Sequence, residues 1–232
     1  MVRSNTISAM KANRLFWLGR YEERVYMTLH LLRQCYDKMI DGNTADYEEF
    51  WSRLDCSGAY STPEDFRMGM LYDEHNPNSI MSEMNFAKDN AILLREDITS
   101  ETLSFIEMSI AHMKACKDKS ETNITALQPI TDWGLAFWGS VFQRLHNQKI
   151  IDLIVIGRNI EYIDMLIRFD YPFERIRHAY EEIKSYGKDV TRIFDTMIEA
   201  QLDSLFTSEN YDPLNMDYKN KVLKYINQLV IV

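Results

Sequence analysis

Apolar residues recur at helical spacing along most of the chain, and two segments carry them on both sides of the predicted helix. These segments are residues 13–39 and 151–169. In each segment, residues three and four apart form one apolar stripe, and the opposite side mixes further apolar residues with charged ones. A helix that is apolar on both sides is usually buried. We therefore expect four charged residues to be partly or wholly buried: Arg20, Glu23, Arg158 and Glu161.

The two segments correspond at a constant offset of 138 residues. The matched positions are Gly19 with Gly157, Arg20 with Arg158, Glu23 with Glu161, and Met27 with Met165. A glycine inside a helix costs about 1 kcal/mol relative to alanine. A close crossing of the two backbones, or room for a ligand, would explain a glycine at both positions. The correspondence predicts two pseudo-equivalent central helices. An arginine and a glutamate three residues apart can pair within one helix. If the two helices pack as pseudo-symmetric neighbours, Arg20 can also meet Glu161, and Arg158 can meet Glu23.

The four charged residues, called the Arg/Glu quartet below, allow two interpretations. Buried charges cost several kcal/mol each unless they are paired and hydrogen-bonded, so the quartet is either a structural polar core or a binding or catalytic centre. In a catalytic centre, Glu23 and Glu161 are the candidate acid–base groups. Arg20 and Arg158 are then the candidate ligand-binding residues, because a guanidinium group can hold a carboxylate or a phosphate.

Helix start and stop signals divide the remaining chain into further helices. Thr62-Pro63 and Asn76-Pro77 each open a helix, Asp41-Gly42-Asn43 ends the first one, and Asp170-Tyr171-Pro172 ends the second central helix. The predicted helices cover about 8–40, 45–54, 63–72, 77–97, 100–117, 129–145, 149–169, 172–186, 190–206 and 216–229. No segment has a convincing strand pattern. The prediction is an all-α, single-domain bundle of roughly eight to ten helices over residues 1–232.

Composition narrows the range of partners. The formal net charge of −9 argues against a general nucleic-acid binder and against binding to an anionic membrane surface. No apolar run is long enough for a transmembrane helix, and the N-terminus lacks the apolar core of a signal peptide. The three cysteines are widely spaced, which argues against a disulfide scaffold or a zinc finger. We expect a cytoplasmic protein.

Familiar catalytic and metal-binding signatures are absent from the sequence, including GxGxxG, the Walker motif, HExxH and GxSxG. The five histidines are scattered, so we predict no metal site and no cofactor. In the middle of the chain, polar residues border an apolar helical stripe. Helix capping and solvated charge explain them in the simplest interpretation, and two of them remain candidate ligand-binding residues: Asn90 and Arg95.

Three segments resemble the bacterial alpha-E domain proteins, a largely uncharacterised all-helical family. NRLFWLGRYEER at residues 13–24 is similar to the family's opening WLGRYxER helix. Residues 76–101, with NPNSI, AKDNA, RE and SE, resemble its NPxSI…ARENAR…RExxSSE segment, and IGRNIE with Asp164 and Arg168 resembles its late LGRxxERAD helix. The chain departs from the family pattern at four positions: Tyr26, Ile92, Leu103 and Tyr162. Two of these, Ile92 and Tyr162, replace arginines and so weaken any basic cluster that would read an anionic ligand.

The resemblance implies a setting rather than a reaction. Alpha-E domains occur fused to, or encoded beside, circularly permuted ATP-grasp ligases. This implies an accessory partner that binds such a ligase or its peptide substrate in ATP-dependent peptide or amide bond formation or peptide modification. The alternatives are a stand-alone enzyme or small-molecule-binding protein that uses the quartet, and a structural homo-oligomer. An accessory protein should show an exposed apolar patch, an enzyme a pocket reaching the quartet, and a purely structural quartet should be sealed and fully paired.

Overall fold

Eleven α-helices form in the residues that the structure, a computed structural model, describes: 7–40, 46–54, 60–190 and 192–232. They are α1 (Ala9–Ile40), α2 (Asp46–Arg53), α3 (Pro63–Tyr72), α4 (Ile80–Leu93), α5 (Arg95–Ile98), α6 (Ser100–Lys117), α7 (Gln128–Arg144), α8 (Gln148–Arg168), α9 (Phe173–Gly187), α10 (Thr196–Leu205) and α11 (Met216–Gln228). The described part has no strand, only an isolated bridge between Phe194 and Val230. The all-α prediction is confirmed. None of the described helices combines the length and apolar content that crossing a membrane requires.

Side-chain caps fix where the middle helices begin. Thr62 accepts a hydrogen bond from the backbone N–H of Asp65 at the start of α3, as predicted from Thr62-Pro63. The helix predicted from residue 77 instead begins at Ile80, because the Ser79 side chain caps it by accepting from the Ser82 backbone N–H. The predicted stop at residues 41–43 lies outside the described residues.

Two predicted helices differ from the structure, one because of a local break and the other because of a pairing with a distant segment. The helix predicted over 77–97 is divided at Leu94, whose N–H bonds back to carbonyls of α4 before α5 begins, and this division raises the count to eleven. The helix predicted from residue 190 begins at Thr196. Its first residues pair with the end of the chain instead, since Asp195 N–H donates to the Leu229 carbonyl at 2.9 Å.

The centre of the bundle is the crossing of α1 and α8, and α8 is buried along most of its length. A Cβ atom added to Gly19 would lie 1.9 Å from the Ile154 carbonyl oxygen. One added to Gly157 would lie 2.0 Å from the Phe16 carbonyl oxygen. Phe16 and Ile154 are themselves equivalent at the offset of 138, so the contact has pseudo-two-fold symmetry. The predicted close crossing at the two glycines is confirmed. Around this pair, α4 packs on α1, while α9 and α11 pack on α8.

Candidate functional site

Both predicted interhelical pairs of the Arg/Glu quartet form at the α1/α8 crossing. Arg20 donates from Nε and Nη2 to Glu161 Oε2, at 2.8 and 2.7 Å. Arg158 donates from Nε to Glu23 Oε2 at 3.0 Å. The two backbones come closest at the glycines, one residue before each arginine. Each arginine side chain is therefore near enough to contact the glutamate of the other helix. The duplicated sequence therefore produces a duplicated pair of ion pairs.

The Arg20 half of the quartet is extended by two residues that the sequence analysis missed. Arg24 donates from Nε to Glu161 Oε1 at 2.5 Å and from Nη1 to Glu83 Oε1 at 3.0 Å. Glu83 stands on the apolar stripe of α4, one turn after the start of that helix, and its position on that stripe is the sequence signal that could have indicated a buried charge. At the position equivalent to Arg24, α8 has Tyr162, so the extension exists on one side only.

Burial and the two arginines set opposite protonation tendencies within this group. Glu161 is completely buried, which by itself raises its pKa, but the charges and hydrogen bonds of Arg24 and Arg20 outweigh burial and lower the pKa to about 2. Burial raises the pKa of Glu83 to about 7 in spite of Arg24, and its Oε2 atom has no hydrogen-bond partner. Burial also raises the pKa of Glu23, opposed by Arg158.

The two halves of the quartet differ in their exposure to solvent. Both guanidinium groups stack on a tryptophan, Arg20 on Trp17 at 4.8 Å and Arg158 on Trp138 at 4.7 Å from the ring centroid. The Arg20 side chain is only 5% exposed, whereas that of Arg158 is 36% exposed. Arg158 uses Nε for its ion pair, and its two Nη atoms have no hydrogen bond within the described ranges. One half is thus sealed, and the other presents a free guanidinium edge.

Comparison with known protein families identifies one whose description includes a Glu-Arg motif, like the pair at residues 23 and 24. A family model, Alpha-E, described as a predicted alpha-helical domain with a conserved ER motif, matches residues 8–212. The chain belongs to the Alpha-E family. Its Glu23 and Arg24 take part in both halves of the quartet, Glu23 with Arg158 and Arg24 with Glu161. No curated protein and no solved structure matches this Alpha-E chain.

The other two candidate residues of the Alpha-E chain lie away from the quartet. Asn90 donates to the Phe86 carbonyl of its own helix at 3.0 Å, and Arg95 is exposed at the start of α5. Neither has a hydrogen bond to the quartet in the part of the chain that the structure describes. In those same ranges, no three His, Cys, Asp or Glu side chains are grouped closely enough to hold a metal ion.

A cavity of about 350 Å³ lies at a different place, where α1, α2 and the end of α8 meet. Its charged lining is largely paired: Arg53 donates to Asp170 Oδ2 at 2.6 Å and to Glu49 Oε1 at 2.6 Å, and stacks on Phe169. No pattern in the sequence indicated this cavity, because its lining comes from three separate segments. None of the quartet residues lines it.

Proposed function

We propose that this Alpha-E chain is a non-catalytic binding partner of an ATP-grasp-type ligase, acting in ATP-dependent peptide or amide bond formation or peptide modification. Membership of the Alpha-E family supports the proposal, because the resemblance of the three sequence segments implies a setting beside ATP-grasp ligases. The observation that carries it is an exposed apolar and aromatic surface shared by α1 and α4.

This surface follows from the antiparallel register of the two helices. Two contacts fix that register: Arg24 with Glu83 and Tyr21 with Phe86. In the same direction, Lys11 of α1 pairs with Asp97 of α5, the helix that follows α4. The α1/α4 face is the outer side of this pair. Its exposed apolar members are Met10, Phe86 and Leu93, which are 71%, 38% and 62% exposed, and the half-buried rings of Trp17 and Tyr21 also belong to it. Three of its rings contact one another in a row, with tilted planes. The ring centroids of Trp17 and Tyr21 are 5.3 Å apart, and those of Tyr21 and Phe86 are 5.4 Å apart. Aromatic residues and methionine are enriched at protein interfaces, and exposed apolar patches mark interaction sites.

The electrostatics of the quartet favour binding over catalysis. A general base must reach its substrate and hold a pKa near the working pH. Glu161 is sealed from solvent, and its low pKa makes it a poor proton acceptor. Its carboxylate already accepts from two arginines, so it has little capacity left for a ligand. These properties are those of a polar core that holds α1 against α8.

The ligase partnership is tested by substituting one exposed residue of the α1/α4 face. We expect tagged wild-type protein to recover an ATP-grasp ligase from native lysate at near-equal amounts, and Leu93→Asp to lose at least about 90% of it, because a carboxylate replaces apolar contact area at an interface. Leu135→Asp on α7 is the matched control, since Leu135 is 55% exposed and Leu93 62%. Equal recovery by all three proteins would exclude this face, and no ligase with wild type would reject the partnership.

Under this proposal the chain works in the cytoplasm, where ATP is available, with a protein or peptide partner and without nucleic acid. Its net charge of −9 is consistent with that assignment, because an acidic chain repels a polyanion. Self-association through the same α1/α4 face would be the homo-oligomeric alternative.

The free edge of Arg158 favours a second candidate function, the binding of a carboxylate or phosphate at the surface. Trp138 and Glu23 hold the guanidinium group in place, which leaves its Nη edge pre-organised for a bidentate anion. We expect N-acetyl-alanine, which carries one carboxylate, to shift NMR signals around Arg158, and Arg158→Gln to weaken binding about tenfold or more. Arg177→Gln is the control, because Arg177 lies on the solvent-facing side of α9 and is 53% exposed. Unchanged affinity in Arg158→Gln would reject this candidate.

A further inference from the structure

The cavity between α1, α2 and the end of α8 belongs neither to the quartet nor to the α1/α4 face. Its volume of about 350 Å³ is within the range of small-molecule sites. A water molecule takes up about 30 Å³ of liquid, so the cavity has room for about twelve non-hydrogen atoms. Close-packed proteins leave few voids larger than one water molecule. This cavity is therefore large enough to hold a whole small ligand.

The buried part of the cavity lining is apolar. It consists of Leu31 and Cys35 of α1 and Phe50 of α2, all of which are buried. The half-buried ring of Phe169, at the end of α8, has its centroid 5.3 Å from that of Phe50, and Tyr171 extends the same wall. Apolar surface on several sides favours a ligand that has an apolar group of its own.

Two arginines fix the wall of the cavity by bonding to each other's backbone. Arg53 Nη1 donates to the Arg168 carbonyl at 2.7 Å, and Arg168 Nη1 donates to the Arg53 carbonyl at 3.0 Å. Arg53 also donates to Asp170 Oδ2 at 2.6 Å, and Asp170 pairs in addition with Lys219 of α11. These contacts tie α2 to the end of α8. The cavity is therefore already formed without a ligand, which lowers the entropic cost of binding one.

Polar groups of the lining keep hydrogen-bonding capacity of both kinds. A guanidinium group has five N–H donors, and Arg53 uses four of them, two on Glu49 Oε1 and two at the end of α8. One Nη2 donor remains without a hydrogen bond in the described residues. Glu49 is 62% exposed, and its Oε2 atom accepts no hydrogen bond in those residues. Gln34 contacts His30 through Nε2, which leaves its Oε1 atom as a second acceptor.

These groups match a ligand that carries charges of both signs. The Glu49 and Gln34 oxygens can accept from an ammonium group. The remaining Arg53 donor can hold a carboxylate, and Lys38 adds a positive charge at the same opening. A ligand with only one of the two charges would leave half of these groups unmatched.

We propose that this cavity binds a free α-amino acid with an aromatic or large aliphatic side chain. The ammonium group lies at Glu49, the carboxylate lies at Arg53, and the side chain packs on Leu31 and Phe50. Phenylalanine has about twelve non-hydrogen atoms, which is the number that the volume of the cavity admits. The inference does not depend on the ligase partnership.

The experiment is an NMR titration of the intact protein with L-phenylalanine and with two probes that each lack one charge, 2-phenylethylammonium and 3-phenylpropionate. We expect L-phenylalanine to shift the signals of Leu31, Phe50 and Phe169, and to bind at least about tenfold more tightly than either probe. Equal affinity for one of the probes, or no binding of L-phenylalanine, would overturn the proposal. Shifts confined to the surroundings of Arg158 would also overturn it, because they place the ligand at the surface anion site instead.

A pair of matched variants separates the ammonium contact from the shape of the cavity. Glu49→Gln should weaken L-phenylalanine binding about tenfold or more but leave 3-phenylpropionate binding unchanged, since that probe has no ammonium group. Glu48→Gln is the control, because Glu48 is an exposed neighbour on α2 that does not line the cavity. Both variants should keep the wild-type melting temperature, because exposed ion pairs contribute little to stability. Unchanged L-phenylalanine affinity in Glu49→Gln, or an equal loss for both ligands, would refute the amino-acid site.

Discussion

Replacing Glu161 by alanine should lower the free energy of unfolding by about 3–5 kcal/mol. Glu161 is the shared acceptor for Arg20 and Arg24 and is completely buried. Without it, the Arg20 guanidinium group keeps its desolvation cost and has no other ion pair in the described residues. Because the total stability of a domain is about 5–15 kcal/mol, this loss should be visible as a large shift in the denaturant midpoint.

Two comparison variants make the Glu161 result interpretable. Arg20→Ala should cost about 3 kcal/mol, the lower end of the same range, because Arg24 still neutralises Glu161 in that variant. Glu181→Ala removes an exposed glutamate from α9 and should change the stability by less than about 0.5 kcal/mol. A loss below about 1 kcal/mol for Glu161→Ala, measured by urea denaturation, would mean that Glu161 is not the shared centre of a buried network.

Gly19→Ala should destabilise the fold by about 3 kcal/mol or more. The added Cβ would meet the Ile154 carbonyl oxygen at 1.9 Å, and a backbone atom in a buried helix cannot move aside cheaply. The two helices must separate, which also lengthens the ion pairs on either side of the crossing. Gly157→Ala should have a similar effect, because its Cβ would meet the Phe16 carbonyl oxygen.

The matched control is another helical glycine with free space around it. Gly139→Ala should stabilise the protein by up to about 1 kcal/mol, since no atom lies within 4 Å of the new Cβ and alanine favours the helix. We expect Gly19→Ala to lower the stability and Gly139→Ala to raise it, as measured by thermal and urea unfolding. A neutral or stabilising Gly19→Ala would contradict the close crossing of α1 and α8.

The quartet pairing could be predicted because it depends on two regularities that the sequence contains. Helical periodicity placed Arg20 and Glu23 on one side of α1, and the offset of 138 residues made α8 a second copy of the same pattern. Pseudo-two-fold symmetry then determined which arginine meets which glutamate. No information about other helices was needed, so the prediction did not depend on the rest of the fold.

Other parts of the site depend on contacts that no local pattern records. Glu83 reaches Arg24 only because α4 packs antiparallel on α1 in one register. The start of α10 is set by residues 229–231 at the far end of the chain. Glu22 breaks the symmetry that made the quartet predictable, because its counterpart is Ile160. Its burial became evident only once the surrounding helices were in place.

The central claim is that the Arg20–Glu161 half of the quartet is a sealed structural core, with function carried by binding surfaces around it. Its most direct test is a ¹³C NMR titration of the glutamate side-chain carboxyl groups, with the Glu161 signal assigned from Glu161→Gln. We predict that Glu161 stays ionised as the pH is lowered to about 2, or until the protein unfolds, because Arg24 and Arg20 hold its pKa there against burial. A Glu161 carboxyl that takes up a proton between pH 5 and 7 would contradict the claim and return the quartet to the role of an acid–base site.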